Sequence, residues 1–120
     1  MAKKTKAPTE KDCLAMMLSV RDALDVISGK WKILILISVI YGNKRFREIE
    51  RSIPNISSKV LAKELKDLED RQLIKRTVYD DSPVLVEYTA TDYSNSVSEV
   101  IIALYNWGQN HRMKIMGKRR

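Results

Sequence analysis

The stretch from Lys44 to Glu87 constrains the fold of this chain more than any other segment. Apolar residues recur at helical spacing on both sides of Pro54-Asn55, and two segments with strand-like alternation follow, joined by a proline-bearing turn. Two short helices followed by a β-hairpin constitute a winged helix-turn-helix. The sequence therefore predicts a mainly α fold with a small β wing.

The ends of these elements follow from local signals. The first helix is predicted from Arg45 to Ile53, because Pro54 cannot continue the hydrogen-bond ladder. Ser57 or Ser58 is expected to cap the second helix, since a serine hydroxyl satisfies a free backbone N–H. That helix carries the leucine stripe Leu61, Leu65 and Leu68 and the four-residue charge pairs Lys63-Asp67 and Lys66-Asp70. The predicted strands are Leu73–Tyr79 and Val84–Thr89.

Three further helices are predicted around this stretch. One runs from near Cys13 to Ile27, and another lies between Lys30 and Tyr41. The second is apolar nearly all round, which favours a buried central helix, although its isoleucines leave a buried strand open as the alternative. The last helix is expected to begin near Thr91 or Asp92 and to reach Met113 or beyond.

The charge of the chain favours a polyanionic partner. The formal net charge is +7, and residues 44–76 contain ten basic and six acidic side chains. Nucleic acid and acidic membrane surfaces attract such a protein. No membrane partner is predicted, because the longest apolar run is about half of the ~20 residues that a membrane span needs. The charged start is not a secretory signal, so a cytoplasmic protein is predicted.

The side chains that usually carry chemistry are sparse. One cysteine, Cys13, and one histidine, His111, supply neither an internal disulfide nor a zinc site. The four glycines are scattered and form no phosphate-binding loop, and His111 has no interpretable catalytic partner. The sequence therefore predicts no enzyme and no cofactor. For Cys13 two interpretations stay open, a redox-sensing thiol and a passive thiol.

The helix-turn-helix segment supplies the residue types that contact DNA. The start of a recognition helix enters the major groove and needs short polar or basic side chains. Basic residues before it and on the first strand are expected to hold flanking phosphates, whereas Asp80 and Asp81 keep the wing tip away. The predicted DNA-binding set is Lys44, Arg45, Arg47, Ser57, Ser58, Lys59, Lys63, Lys66, Lys75 and Arg76. The alternative is that these charges only solvate outward faces.

The two terminal helices carry more apolar surface than a small winged helix needs. We therefore predict a homodimer with the interface residues Leu14, Met17, Leu18, Ile101, Leu104, Tyr105 and Trp107. Symmetric readers of this kind bind half-sites about one helical turn of DNA apart, ~34 Å. The predicted organisation is a flexible basic N-terminal arm over residues 1–12, a winged-helix DNA-binding domain with dimerising terminal helices over residues 13–117, and a basic tail over residues 118–120.

Several ordered motifs between Val20 and Gly117 resemble a known family. The segment Ala23-Leu-Asp-Val-Ile-Ser-Gly-Lys-Trp-Lys-Ile-Leu-Ile-Leu is similar to the opening signature of the HxlR-type winged-helix regulators, which are related to the MarR group. Ile53-Pro-Asn-Ile-Ser-Ser-Lys-Val-Leu-Ala-Lys-Glu-Leu resembles their helix-turn-helix, and Val86-Glu-Tyr-Thr resembles their wing. The resemblance implies a homodimeric, cytoplasmic, bacterial transcription factor that dimerises through its terminal helices.

The chain departs from that family's pattern at three places. Many members have a Cys-Pro pair where this chain has Leu18-Ser19, so the thiol-sensing role of some members does not transfer to Cys13 by position. The glycine that usually precedes Leu73 is Gln72, and the usual Thr-x-x-Gly start of the last helix is Thr91-Asp-Tyr-Ser. These departures leave every predicted DNA-contact residue in place.

The sequence thus predicts a sequence-specific transcriptional regulator that binds double-stranded DNA as a homodimer. In this hypothesis the recognition helix enters the major groove and the wing lies on the flanking backbone. The alternative is a winged helix used for protein interaction or RNA binding, without operator DNA binding. A small-molecule or redox effector stays open, as do the operator and the sign of regulation.

Overall fold

Helices dominate the computed structural model, which describes residue 7 and residues 9–117. Four helices precede the hairpin: α1 (Glu10–Ile27), α2 (Lys32–Ile40), α3 (Phe46–Ser52) and α4 (Ser58–Asp70). The strands β1 (Ile74–Tyr79) and β2 (Leu85–Ala90) follow, and a short 3-10 helix (Tyr93–Val97) leads into α5 (Ser98–Ile115). The predicted mainly α fold with a small β wing, a winged helix-turn-helix, is confirmed.

The core lies where α2, α3 and α4 meet the base of the hairpin. The predicted leucine stripe of α4 is buried, with Leu61, Leu65 and Leu68 each at most 1% exposed. The same cluster contains Ile35 and Leu36 of α2, Ile49 of α3, and Leu73 and Ile74 at the start of the hairpin. Burying one such side chain stabilises the fold by about 1.5–3 kcal/mol. This cluster therefore fixes α4 against α2 and α3.

Helix α2 buries one face and exposes another. Its helical conformation shows that the buried-strand alternative is wrong. Ile35, Leu36 and Val39 are buried, whereas Leu34 and Ile40 are exposed. The prediction of burial nearly all round is therefore wrong for one side of the helix. In the described part of the chain, the neighbouring elements cover only the other side.

The hairpin is antiparallel, from Ile74 opposite Ala90 to Tyr79 opposite Leu85, and each strand begins one residue later than predicted. Gln72, just before β1, has a φ of 67°, a left-handed conformation that favours glycine. The Oγ1 hydroxyl of Thr91 donates to the Gln72 carbonyl oxygen at 2.7 Å and holds this turn. The residue that replaces the family's usual glycine thus keeps a glycine-like backbone.

The terminal helices contact the core through partly buried residues, among them Val26 of α1 and Ile101 of α5. Neither α1 nor α5 contains a fully buried residue. The radius of gyration is 18.0 Å, whereas a compact domain of this length has one of about 14 Å. None of the described helices is both long enough and apolar enough to cross a membrane.

Both terminal helices begin at residues other than those predicted. Helix α1 begins at Glu10, because Thr9 and Asp12 form a reciprocal capping box with hydrogen bonds of 3.0 and 3.1 Å. Residues 10–12 are therefore helical rather than part of the predicted arm. Helix α5 begins at Ser98, because buried Ser94 bonds to Thr91 and holds a 3-10 turn first. Arm residues 1–6 and 8 and the predicted tail, 118–120, lie outside the described residues.

Candidate nucleic-acid interface

The start of α4 is shaped by the turn that precedes it. Asn55 adopts a φ of 68°, a conformation that asparagine tolerates better than most residues, and the chain reverses there. The Oγ of Ser57 accepts a hydrogen bond from the Val60 backbone N–H at 3.1 Å, so Ser57, one of the two predicted candidates, is the helix cap. Ser57, Ser58 and Lys59 are exposed in this first turn.

Glu50 lies beside this first turn, and sequence reasoning did not single it out. The Ser58 hydroxyl donates to the Glu50 carboxylate, which links α3 to the start of α4. Both predicted contact serines therefore already serve the local structure. The Ser57 hydroxyl can still donate a hydrogen bond to a ligand, because it acts as an acceptor in the cap. The Ser58 hydroxyl can still accept one, because its proton is donated to Glu50.

The outward face of α4 carries three exposed lysines, Lys59, Lys63 and Lys66. Lys66 Nζ lies 3.3 Å from the Asp70 Oδ1, so that predicted pair forms, at an exposed site where it stabilises little. The predicted Lys63-Asp67 pair is wrong. The Asp67 carboxylate instead lies 3.1 Å from Lys32 and 3.1 Å from Arg71, and these cations replace Lys63 as its partners.

The start of α3 holds a second group of exposed cations, Lys44, Arg45 and Arg47. Glu48 sits among them, and its carboxylate accepts hydrogen bonds from the backbone N–H groups of Lys44 at 3.0 Å and Arg45 at 3.1 Å. These bonds hold the pKa of Glu48 below its ordinary value, with a smaller contribution from nearby arginine charges. Glu48 thus caps the start of α3, and the basic side chains around it stay exposed.

The wing is tied to the helix-turn-helix by its second strand. The Tyr88 backbone N–H donates to the Lys44 carbonyl oxygen at 2.8 Å. Arg76, opposite Tyr88, lines a cleft of about 260 Å³ with Ala62 and Lys66 of α4. Lys75 lines a neighbouring cleft. The structure therefore places Arg76 of β1 and Lys66 of α4 on the same cleft between the hairpin and α4.

An ion cluster lies along one flank of α4, and no local spacing in the sequence predicted it. Lys32 Nζ lies 2.7 Å from Glu64 Oε1, and both side chains are only 15% exposed. The hydrogen bond from Lys32 to Glu64 raises the pKa of Lys32 above its ordinary value against the opposing effect of burial. The hydrogen bond with Lys32 likewise lowers the pKa of Asp67. The cluster joins residues 32 positions apart, which explains why sequence reasoning missed it.

The terminal helices expose the side chains predicted for a dimer interface. Six of the seven predicted residues are exposed, among them Trp107 at 68%. Ile101 is the exception, because it packs against the core of its own chain. Trp107 stacks on His111 with ring centroids 4.9 Å apart. Cys13 is exposed on α1.

Comparison with known proteins points to one family. The family described as HxlR-like helix-turn-helix matches residues 26–116. The chain is 40% identical over 100 residues to the uncharacterised HTH-type transcriptional regulator YtcD of Bacillus subtilis, covering 83% of this chain and 79% of that protein. These relatives are transcriptional regulators and not enzymes, in agreement with the sequence prediction.

Solved structures agree with this result. The redox regulator HypR in its reduced form superposes with a TM-score of 0.76 at 34% identity, covering 82% of this chain and 97% of that one. A MarR-family regulator from Enterococcus faecalis V583 superposes with a TM-score of 0.72 at 28% identity, covering 94% of this chain and 98% of that one.

Proposed function

Because this chain belongs to the HxlR-like helix-turn-helix family of transcriptional regulators, we propose that it binds specific DNA sequences as a homodimer. The start of α4 enters the major groove, and the hairpin lies along the flanking backbone. The observation that carries this proposal is the orientation of α4. Three buried leucines fix its inner face, and Lys59, Lys63 and Lys66 are exposed on the other side.

The pairing of the acidic residues supports this proposal. Residues 44–76 contain six acidic side chains. Glu64 and Asp67 are held by Lys32 beside α4, and Glu48 is held by backbone N–H groups. These three carboxylates are engaged locally, and ten basic side chains outnumber the six acidic ones, so a phosphate backbone meets a net positive charge.

The predicted contacts at the wing come from the bases of its strands. Lys75 and Arg76 are exposed at the start of β1, close to α4. Asp80 and Asp81 occupy the exposed turn at the far end, where phosphate would be repelled. The hairpin therefore meets DNA through Lys75 and Arg76, with its tip directed away.

The homodimer is supported by the apolar surface of α1 and α5. Exposed residues on these helices include Leu14, Met17, Leu104, Tyr105 and Trp107. Soluble monomers rarely expose contiguous apolar patches larger than a few hundred Å². A second copy that covers these helices removes the patch and sets two α4 helices one helical turn of DNA apart, ~34 Å.

A protein-interaction module is the second candidate, and one observation favours it. The wing exposes the apolar side chains of Val78, Tyr79 and Val84 next to Asp80 and Asp81. This surface suits a protein better than a phosphate backbone. Salt dependence separates the two candidates, because binding to DNA releases condensed counterions and weakens steeply as salt rises.

The test compares duplex-DNA binding by two charge-matched double variants over a range of salt concentrations. Lys59→Ala with Lys63→Ala removes two cations from α4, whereas Arg21→Ala with Lys114→Ala removes two exposed cations from the terminal helices. We expect the first pair to weaken binding by about tenfold or more and, because the dimer loses four lysines, to lower the salt slope by about 4. Equal affinities for the two double variants would show that α4 is not the recognition helix.

A further inference from the structure

Charged side chains link three helices along one flank of α4. Lys32, the first residue of α2, contacts Glu64 at 2.7 Å and Asp67 at 3.1 Å. The same Asp67 oxygen lies 3.1 Å from Arg71 Nε, and Arg71 Nη1 lies 3.7 Å from Asp25 of α1. The cluster therefore runs from α2 through α4 to the end of α1.

The carboxylates of this cluster lie next to the candidate DNA-contact lysines along α4. Glu64 and Asp67 are three residues apart and share one face of the helix. Lys63 and Lys66 directly precede them, and all four line one cleft with Lys32. A small rotation of α4 about its axis moves the lysines relative to the groove and moves the carboxylates relative to Lys32 at the same time.

The ion pairs restrain a small rotation of α4 in addition to the leucine stripe. The buried leucines fix which face of α4 points into the core, through contacts that are individually non-directional. A hydrogen-bonded ion pair has strict requirements of distance and angle. Lys32 and Glu64 are each 15% exposed, so salt screens this pair less than a surface pair.

We infer that Lys32 is a positioning residue for DNA recognition, which acts through Glu64 and Asp67 to set the rotation of α4. This inference rests on the proposed function. Lys32 makes no DNA contact in this account, because its ammonium is directed to the two carboxylates. Its contribution is to sequence discrimination, which requires each side chain of α4 to meet its base edge, rather than to phosphate binding.

A role limited to stability would give a different result. It would lower the thermal midpoint and leave the preference for the operator unchanged. Lys32→Met replaces the ammonium by an unbranched apolar side chain that is one atom shorter. It also leaves the largely buried Glu64 without this cation, which lowers stability, so the affinity ratio is the deciding readout. Lys30→Met is the matched control, since it removes an exposed lysine two residues earlier.

The experiment measures the affinity of each variant for a selected operator duplex and for a scrambled duplex, together with its thermal midpoint. We expect Lys32→Met to lower the operator-to-scrambled affinity ratio by about tenfold or more, the scale of a base mismatch, with little change in scrambled binding. Lys30→Met should keep the wild-type ratio. Glu64→Gln is measured in parallel and should reproduce the loss, so that a poorly folded Lys32→Met does not decide the result.

The outcomes separate this inference from the proposed function. If the wild-type protein discriminates the operator and both Lys32→Met and Glu64→Gln keep its ratio, only the role of Lys32 is overturned. If the wild-type protein shows no preference for any duplex, the proposed function and the role of Lys32 are both overturned. A loss confined to the cluster variants supports the inference.

Discussion

At the scale of single residues, Glu48 is the carboxylate that lies among the exposed cations at the start of α3. Its two backbone hydrogen bonds close the start of α3. Because they bind the ionised carboxylate, its pKa is lowered from the ordinary value of 4.5. The stabilisation from Glu48 is therefore fully present above that value and is lost as pH falls through the lowered folded pKa.

This pKa shift gives a prediction for Glu48→Gln. The variant should melt at a lower temperature than the wild type at pH 7, and the difference should shrink as pH falls from 5 towards 3. Circular dichroism melts over that pH range measure it, with Asp80→Asn at the exposed wing tip as the control. A gap between wild type and Glu48→Gln that is constant with pH would contradict the assigned hydrogen bonds.

Some single-residue roles could be predicted from the sequence, and others could not. The helix cap depends on a neighbour three residues away, so the local pattern narrowed it to Ser57 or Ser58, and the structure assigns it to Ser57. Lys32 depends on Glu64, 32 residues further along, and no spacing rule connects them. The capping box of Thr9 and Asp12 was a readable signal that the sequence analysis did not use.

At the scale of elements, the contrast between α4 and the terminal helices is the main result. Helix α4 is amphipathic and buries Leu61, Leu65 and Leu68 in the core, whereas α1 and α5 have no fully buried residue. The periodicity in the sequence predicted all three as helices, because periodicity reports only that one face is apolar. It does not report whether the covering surface belongs to the same chain, so the exposure of α1 and α5 required the structure.

The exposed helices give a prediction about assembly. Met17→Glu on α1 or Leu104→Glu on α5 should shift the protein from a dimer to a monomer at micromolar concentration, because an unpaired carboxylate is costly in an apolar interface. Light scattering coupled to size exclusion measures the mass against 13.9 kDa for one chain. Gln109→Glu, at an exposed polar position of α5, is the control and should stay dimeric. A monomeric wild type would overturn the proposed dimer.

At the scale of the whole molecule, a winged-helix core carries two terminal helices that contain no fully buried residue. The winged helix could be predicted from sequence because its signals are local: the stop at Pro54, the leucine stripe and the turn before Leu85. In the proposed dimer, the arrangement of the two winged helices depends on the apolar surfaces that α1 and α5 leave uncovered. We propose that this arrangement decides which pair of half-sites the two α4 helices reach together.

Selection of bound duplexes from a random DNA pool tests the central claim most directly, because it examines sequence preference and symmetry in one measurement. The account predicts enrichment of an inverted repeat whose half-sites lie about 10 base pairs apart, centre to centre. The same selection with Lys59→Ala and Lys63→Ala should enrich it weakly or not at all. A pool that stays random with the wild-type protein, or that yields only a single asymmetric site, would contradict the account.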